Sequence, residues 1–296
     1  MTRDATSPRR HVDGLPVLDR CLVMGIVNVT PDSFSDGGLY FHPEAAIRHG
    51  RTMAAHGADL VDVGGESTRP GARRPKETQE LDRVLPVIRK LAADGITVSV
   101  DTMRASVAEA AVAAGAAVVN DVSGGRADPE MFATVARLGV PYVLMHWRAH
   151  SEVMQQLTTY DDVVGDVVKE LREQLEAAVA AGVDPARIAL DPGIGFAKTA
   201  DQNWEVLAGL GALHDLGQPL ILATSRKRFL GELLAGPTGL RPPQERDDAT
   251  TATTALAAAE GVWCVRVHDV LASADAVRVT ARWFGPEEPP VGSAQS

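Results

Sequence analysis

Residues 97–120 read TVSVDTMRASVAEAAVAAGAAVVN. A short β-branched run stops on Asp101, an alanine-rich segment of helical period follows, and a second apolar run stops on Asn120 and Asp121. The same unit recurs outward in both directions. Runs of Val, Ile and Leu end on Asn28, Glu66, Asp101, Asn120 with Asp121, His146, Asp191, Ser225, and Arg266 with His268. Strand and helix alternating down the chain call for a parallel sheet covered by helices. Eight such units closed on themselves form a (β/α)8 TIM barrel, an α/β fold whose active site lies where the strands end. The polar endings are therefore expected to converge on one mouth.

The patterning predicts strands at Leu22 to Asn28, Leu60 to Gly64, Thr97 to Asp101, Ala117 to Asn120, Tyr142 to Met145, Ile188 to Asp191, Leu220 to Ala223 and Val262 to Val267. Helices are expected around Pro43 to Ala55, Leu81 to Ala93, within ASVAEAAVAAGA, from Asp161 to Ala181, in DDATTATTALAAAEG and from Ala272 to Trp283. RKRFLGELLAG suggests a short extra helix after strand seven, and the loops after strands one and two are extended. The domain reading is a flexible segment at 1–16, one barrel at 17–285 and a flexible tail at 286–296.

A chain of 296 residues with 45% hydrophobic content fits one barrel and leaves no room for a second full domain. The 29 basic against 39 acidic side chains give a net charge of -10. That field repels polyanions and argues against a nucleic-acid or anionic-membrane partner, so an anionic ligand needs a local basic pocket. Cys21 and Cys264, assigned to the first and last strands, carry no metal spacing or redox motif and read as small buried side chains. The start, MTRDATSPRRHVDG, lacks a hydrophobic segment and is not a secretory signal, and no run is long enough to span a bilayer. A cytoplasmic enzyme is expected.

The strand ends carry longer motifs. Met24 to Gly38 reads MGIVNVTPDSFSDGG, and Val61 to Gly71 reads VDVGGESTRPG. SVDT at 99–102, VNDVSGG at 119–125, LDPGIGF at 190–196, SRKRF at 225–229 and RVH at 266–268 follow in order. This set resembles the dihydropteroate synthase family of folate biosynthesis, and the resemblance spans about residues 22 to 270. Ala223 departs from it, standing where many members have Gly before the Ser-Arg-Lys motif.

The resemblance implies condensation of 6-hydroxymethyl-7,8-dihydropterin diphosphate with p-aminobenzoate, giving 7,8-dihydropteroate and pyrophosphate. A pterin presents a guanine-like edge of adjacent N–H donors and a carbonyl, which calls for a carboxylate, an amide and a cation. Asp191, Asn120 and Lys227 supply these, with Asp101 as a second carboxylate. Arg266 and His268, at alternate positions of one strand, point the same way and suit a diphosphate together with Asn28, Thr68 and Arg69. By resemblance Asn28 also holds Mg²⁺, the one cofactor implied. Phe34, Pro70, Phe196, Lys227, Arg226 and Ser225 are the implied p-aminobenzoate contacts. Asp101, Asp36, Lys227, Arg266 and His268 are expected to take part in the chemistry. Loops one and two, with Gly37, Gly38 and Gly71, are expected to close over the reaction and exclude water.

Two rival classes are weighed. A metal-dependent amidohydrolase on the same barrel needs His-x-His at the end of strand one, where this chain has Asn28-Val-Thr30, so that class is discarded. A methyltransferase pterin domain or a non-catalytic paralogue would lack the loop-one, loop-two and Ser-Arg-Lys signatures retained here. A homodimer is expected by resemblance, with the last two helices apolar enough to support it.

Overall fold

Asp62 stands in register with Ile26 on one side and Ser99 on the other, in the middle of a parallel sheet. The computed structural model describes residues 11–30, 43–67, 74–150, 154–237 and 239–285. Among the described residues the strands are β1 (Leu22–Asn28), β2 (Leu60–Gly64), β3 (Val98–Asp101), β4 (Val118–Asp121), β5 (Tyr142–Met145), β6 (Ile188–Asp191), β7 (Ile221–Leu222) and β8 (Cys264–Val267). They run in the order β6-β5-β4-β3-β2-β1-β8-β7. A parallel bridge from Leu190 to Leu220, with Leu190 N–H donating to Pro219 O at 2.8 Å, joins the two ends. The sheet is thus a closed barrel, as the alternation of runs predicts.

The helices are α1 (Pro43–Ala55), α2 (Glu77–Ala93), α3 (Ala105–Ala113), α4 (Met131–Leu138), α5 (Val163–Ala180), α6 (Ala200–Ala208), α7 (Leu210–His214), α8 (Arg228–Leu233), α9 (Asp247–Ala259) and α10 (Val270–Phe284). Several ends differ from expectation for local reasons. Helix α2 starts at Glu77 instead of Leu81 because Lys76 N–H donates to Gln79 Oε1 at 3.0 Å and so supports the first turn. Asp162 caps α5, accepting from Val164 N–H at 3.2 Å, and Asp269 caps α10, so that helix begins at Val270 instead of Ala272. Strands β7 and β8 are shorter than their apolar runs. Helices α4, α6 and α7 were not separately expected, and the short α8 is the extra helix after strand seven.

Alternation inside the strands sorts the barrel into layers. Leu22, Met24, Leu60, Val118, Val143, Ala189, Ile221 and Cys264 form an apolar floor with Trp263. Val23, Val27, Val61, Val63, Val98, Val100, Val119, Leu144 and Leu190 join the second cluster, packed with Val84, Ile88 and Leu91 of α2 and their counterparts on other helices. Each such buried side chain stabilises the fold by roughly 1.5–3 kcal/mol. Two residues of the leading segment belong to the floor: Val12 and Leu15 are 2% and 8% exposed, so the ordered barrel begins before the boundary expected at residue 17. Two isolated apolar residues in a polar stretch have no period by which to be recognised. Cys21 lies immediately before β1, not in it; Cys264 is in β8, and both are buried free thiols.

Candidate active site

Above the floor, the inward positions of the strands turn polar. Asp62, Asp101, Asn120, Asp191 and Arg266 occupy them, and Asn28, Ser225 and His268 continue the same phase at the mouth. A cavity of about 930 Å³ opens there. Its lining includes Asn28, Asn120, Asp191, Phe196, Lys198, Ser225, Arg226, Lys227, Arg266 and His268. Among the described residues Lys198, Arg226, Lys227, Arg228, Arg246 and Arg266 line it together with Asp191 and Glu232, so an acidic chain gathers cations at this mouth.

Arg266 organises the upper barrel. Its Nε donates to Asp62 Oδ2 at 2.7 Å and its Nη2 to Asp101 Oδ2 at 2.8 Å. Burial works against the guanidinium, but the two carboxylates outweigh it and keep it cationic. Asn120 Nδ2 donates to the same Asp62 oxygen at 2.9 Å, which turns the amide oxygen of Asn120 away from Asp62. Burial pushes the Asp101 carboxyl up to about 8, with Arg266 pulling against it and Asp62 adding a like charge. Asp101 is not itself part of the cavity lining and reaches the site through Arg266. Asn28 and Asp101 flank Gly64: a Cβ there would come within 3.7 Å of Asn28 Oδ1 and 3.5 Å of Asp101 Oδ2.

At the end of β6, Asp191 Oδ1 accepts Gly193 N–H at 2.7 Å, which fixes the carboxylate plane. Burial pushes Asp191 up, and Lys227 pulls it down. Lys227 is in turn drawn down to about 8 by burial, against the attraction of Asp191. Its Nζ donates to Ile194 O and lies 4.7 Å from the centroid of the Phe196 ring.

The turn after β7 aims two of these groups. Arg226 adopts the left-handed conformation, φ 58, unusual for a residue with a side chain. Its bidentate pair with Asp247 (2.7 and 2.8 Å) and the bond from Arg246 Nη1 to its carbonyl (2.8 Å) hold it there. The guanidinium expected to meet a carboxylate ligand is thus engaged by Asp247, although it lines the cavity. Ser225 Oγ accepts His268 N–H at 3.1 Å and lies 2.9 Å from His268 Nδ1. These two contacts fix the orientation of the imidazole at the cavity wall.

Two strand ends serve other purposes. Glu66 accepts from Arg74 at 3.1 Å and from Arg104 at 3.3 Å, and Arg104 also pairs with buried Glu80. This network ties Arg74 to the ends of β2 and β3. His146 is buried at the end of β5, with Nε2 2.9 Å from Glu170 Oε2 and Nδ1 3.0 Å from Lys198 Nζ. Burial holds His146 down to about 4; Lys198 helps and Glu170 opposes. Glu170 is held down to about 2, where hydrogen bonds from His146 and Arg148 outweigh burial.

Of the expected site residues, Asn28, Asn120, Asp191, Phe196, Ser225, Arg226, Lys227, Arg266 and His268 meet at this cavity, and Asp101 joins them through Arg266. Phe34, Asp36, Thr68, Arg69 and Pro70 lie outside the described residues. Sequence reasoning missed Asp62 and Lys198. A charged residue at an inward position of the otherwise apolar run LVDVG is the signal that marks Asp62.

Residues 24–268 match a family described as pterin binding enzyme. The chain is 55% identical over 269 residues to the dihydropteroate synthase of Mycobacterium leprae, covering 90% of this chain and 95% of that one. A Xanthomonas albilineans dihydropteroate synthase solved with 4-aminobenzoic acid is similar at TM-score 0.85 and 46% identity, covering 96% of this chain and 100% of that one. A Yersinia pestis dihydropteroate synthase in a sulfonamide drug complex is similar at TM-score 0.87 and 39% identity, covering 93% and 98%.

Proposed function

The chain belongs to the dihydropteroate synthase family, and on that premise we propose how its barrel mouth joins 6-hydroxymethyl-7,8-dihydropterin diphosphate to p-aminobenzoate with release of pyrophosphate. The observation that carries the residue assignment is the sharing of one cavity by Asn120, Asp191 and Lys227. Asp191, oriented by Gly193 N–H, accepts from the amino and ring N–H groups of the pterin. Asn120, its amide nitrogen committed to Asp62, offers its oxygen as a further acceptor, and Lys227 donates to the oxo group. A carboxylate, an amide and an ammonium in that arrangement match the pterin edge in both hydrogen-bond sense and charge.

Cleavage of the pterin-methylene C–O bond leaves positive charge on carbon and negative charge on the departing oxygen, so stabilising both lowers the barrier. His268, oriented by Ser225, and Arg266 are assigned to the leaving diphosphate, as are Thr68 and Arg69 of loop two. Asp101, paired with Arg266, is assigned to favour the cationic carbon in its ionised form, whose share grows as the pH rises through about 8. Asp36 of loop one is assigned the same role. The aromatic amine attacks once it is held in line against Phe196; Ser225 and the Asp247-held Arg226 are assigned to its carboxylate end, and Phe34 and Pro70 are assigned to its ring by resemblance. No covalent enzyme intermediate is needed, and burial pushes both thiols up, which suits their silence.

Asn28 is the residue we assign to Mg²⁺. Among the described residues no group of three or more His, Cys, Asp or Glu side chains forms a closed metal cage. A neutral amide oxygen at the cavity wall fits an ion whose shell is completed by diphosphate and water. When bound, magnesium supplies charge neutralisation of the diphosphate.

We also propose a homodimer through α9 and α10. Leu256, Leu271, Val279, Trp283 and Phe284 are 50–80% exposed there, more apolar surface than a lone acidic barrel needs. No described helix is long and apolar enough to cross a membrane, and we assign the enzyme to the cytoplasm. Incubation with the pterin diphosphate tests the central reading. Pyrophosphate release that depends on added p-aminobenzoate and on Mg²⁺ is expected, whereas release independent of the amine would overturn it.

A further inference from the structure

Lys198 is 3% exposed and donates to three acceptors: Gly193 O at 3.1 Å, Phe196 O at 3.3 Å and His146 Nδ1 at 3.0 Å. The first two belong to the loop that leaves β6. That loop turns through φ of +66 at Gly193 and +80 at Gly195, which glycine adopts freely, and of +48 at Ala197, which costs a residue with a side chain. It is also tightly seated, since a Cβ at Gly193 would lie 2.4 Å from His146 O. Two glycines leave the loop free to adopt other shapes and Ala197 is held against its preference, so fixed donors to the loop carbonyls select this one. Lys198 supplies two of them, and Lys227 supplies the third through Ile194 O.

The lysine is itself held. Because Lys198 donates to Nδ1 of His146, the imidazole proton sits on Nε2 and is donated to Glu170 at 2.9 Å, and Glu170 is anchored by Arg148. The chain Arg148, Glu170, His146, Lys198 thus runs from α5 and the end of β5 to the loop that carries Phe196. Phe196 projects from it into the cavity, partly packed on Met103, Val122, Met145 and Trp147.

We propose that Lys198, braced by His146 and Glu170, is a positioning residue that sets the Phe196 wall for the incoming aromatic amine. The inference rests on the reading of this cavity as the meeting place of pterin diphosphate and p-aminobenzoate. Although Lys198 borders the cavity, its donors are spent on the loop carbonyls and His146, and it acts through them. Its loss affects capture of the second substrate more than the chemical step.

Lys198→Met keeps most of the apolar stem and removes the donor. Steady-state kinetics of this variant are expected to give a KM for p-aminobenzoate raised roughly tenfold, about one lost hydrogen bond's worth, with kcat within about threefold. A double-mutant cycle with Phe196→Ala separates positioning from general damage. In the Phe196→Ala background, Lys198→Met should add little, because the wall it positions is gone. Equal loss in both backgrounds, or a fall in kcat with KM unchanged, would overturn the proposal. If Lys198→Met does not fold, Glu170→Ala, remote from the cavity, is expected to raise the same KM in the same direction, and an unchanged KM there counts against the proposal. A wild-type enzyme that turns over normally while these variants behave as wild type defeats this inference alone. A wild type without amine-dependent turnover defeats the underlying reading.

Discussion

Arg266 and Asp62, 204 positions apart in sequence, meet through a 2.7 Å hydrogen bond from Nε to Oδ2 inside the barrel. The same carboxylate oxygen receives Asn120 Nδ2, so one buried aspartate orients both a pterin acceptor and the cation at the diphosphate end. Asp62 is completely buried, and its other oxygen has no hydrogen-bond partner among the described residues. Such a group is retained at a cost in stability because of what it positions.

Removing it should therefore damage stability and binding together. Asp62→Ala leaves Arg266 paired only with Asp101 and frees the Asn120 amide. Urea denaturation is expected to show a loss of about 3 kcal/mol, the usual result of breaking a buried ion pair. Affinity for the pterin diphosphate should fall at least tenfold, and a variant of wild-type stability and affinity would remove Asp62 from the site.

The His146 brace makes a pH prediction. Its folded value of about 4 lies below the ordinary 6.5, so the unfolded chain takes up the proton first. Stability from this group is complete above pH 6.5, declines as the pH falls toward 4, and is flat below that. The shift corresponds to about 3 kcal/mol. Glu170, depressed from 4.5 to about 2, adds a further loss in that lower window. Denaturant titrations at pH 7.5 and 4.5 should show His146→Gln losing less on acidification than wild type. Parallel losses would assign the acid limb elsewhere.

Ser225 holds His268 by two contacts, at 2.9 and 3.1 Å. Ser225→Ala removes the ring contact and the backbone contact together and frees the imidazole to reorient. We expect kcat for pyrophosphate release to fall roughly tenfold, as when the hydrogen bond that orients a functional histidine is lost. Binding of the pterin diphosphate's ring system, read by competition with a pterin lacking phosphate, should be unchanged. An unaltered kcat would mean that the orientation of His268 does not matter.

Much of this site is legible in the chain because a barrel strand encodes its own direction. Period-two alternation fixes which residues face inward, and the first polar residue after an apolar run marks the mouth, as at Asn120, Asp191 and Arg266. Asp62 escapes because it lies within its run, where only the register opposite Ile26 and Ser99 reveals its neighbours. Lys198 escapes for a different reason. Its importance comes from φ values at Gly193, Gly195 and Ala197 and from a histidine 52 positions away, neither of which has a sequence period. Arg226 reads as a free cation in sequence, while Asp247 engages it in the fold. Helix α4, eight residues long, is too short for its pattern to stand out.

The proposed dimer rests on exposed Trp283, Val279 and Leu256 of neighbouring helices α9 and α10. Trp283→Arg should shift sedimentation from dimer toward monomer with the barrel's circular dichroism retained. A wild type that sediments as a monomer at micromolar concentration would dismiss this surface as an interface.

The most direct test is calorimetric titration of the pterin diphosphate into wild type and Asp191→Ala. Asp191 is buried at the end of β6, oriented by Gly193 N–H, with Lys227 offsetting its charge. Loss of a charge-assisted bidentate contact is expected to weaken binding roughly a hundredfold or more. Equal affinity of the two proteins would contradict the assignment of this cavity to the pterin.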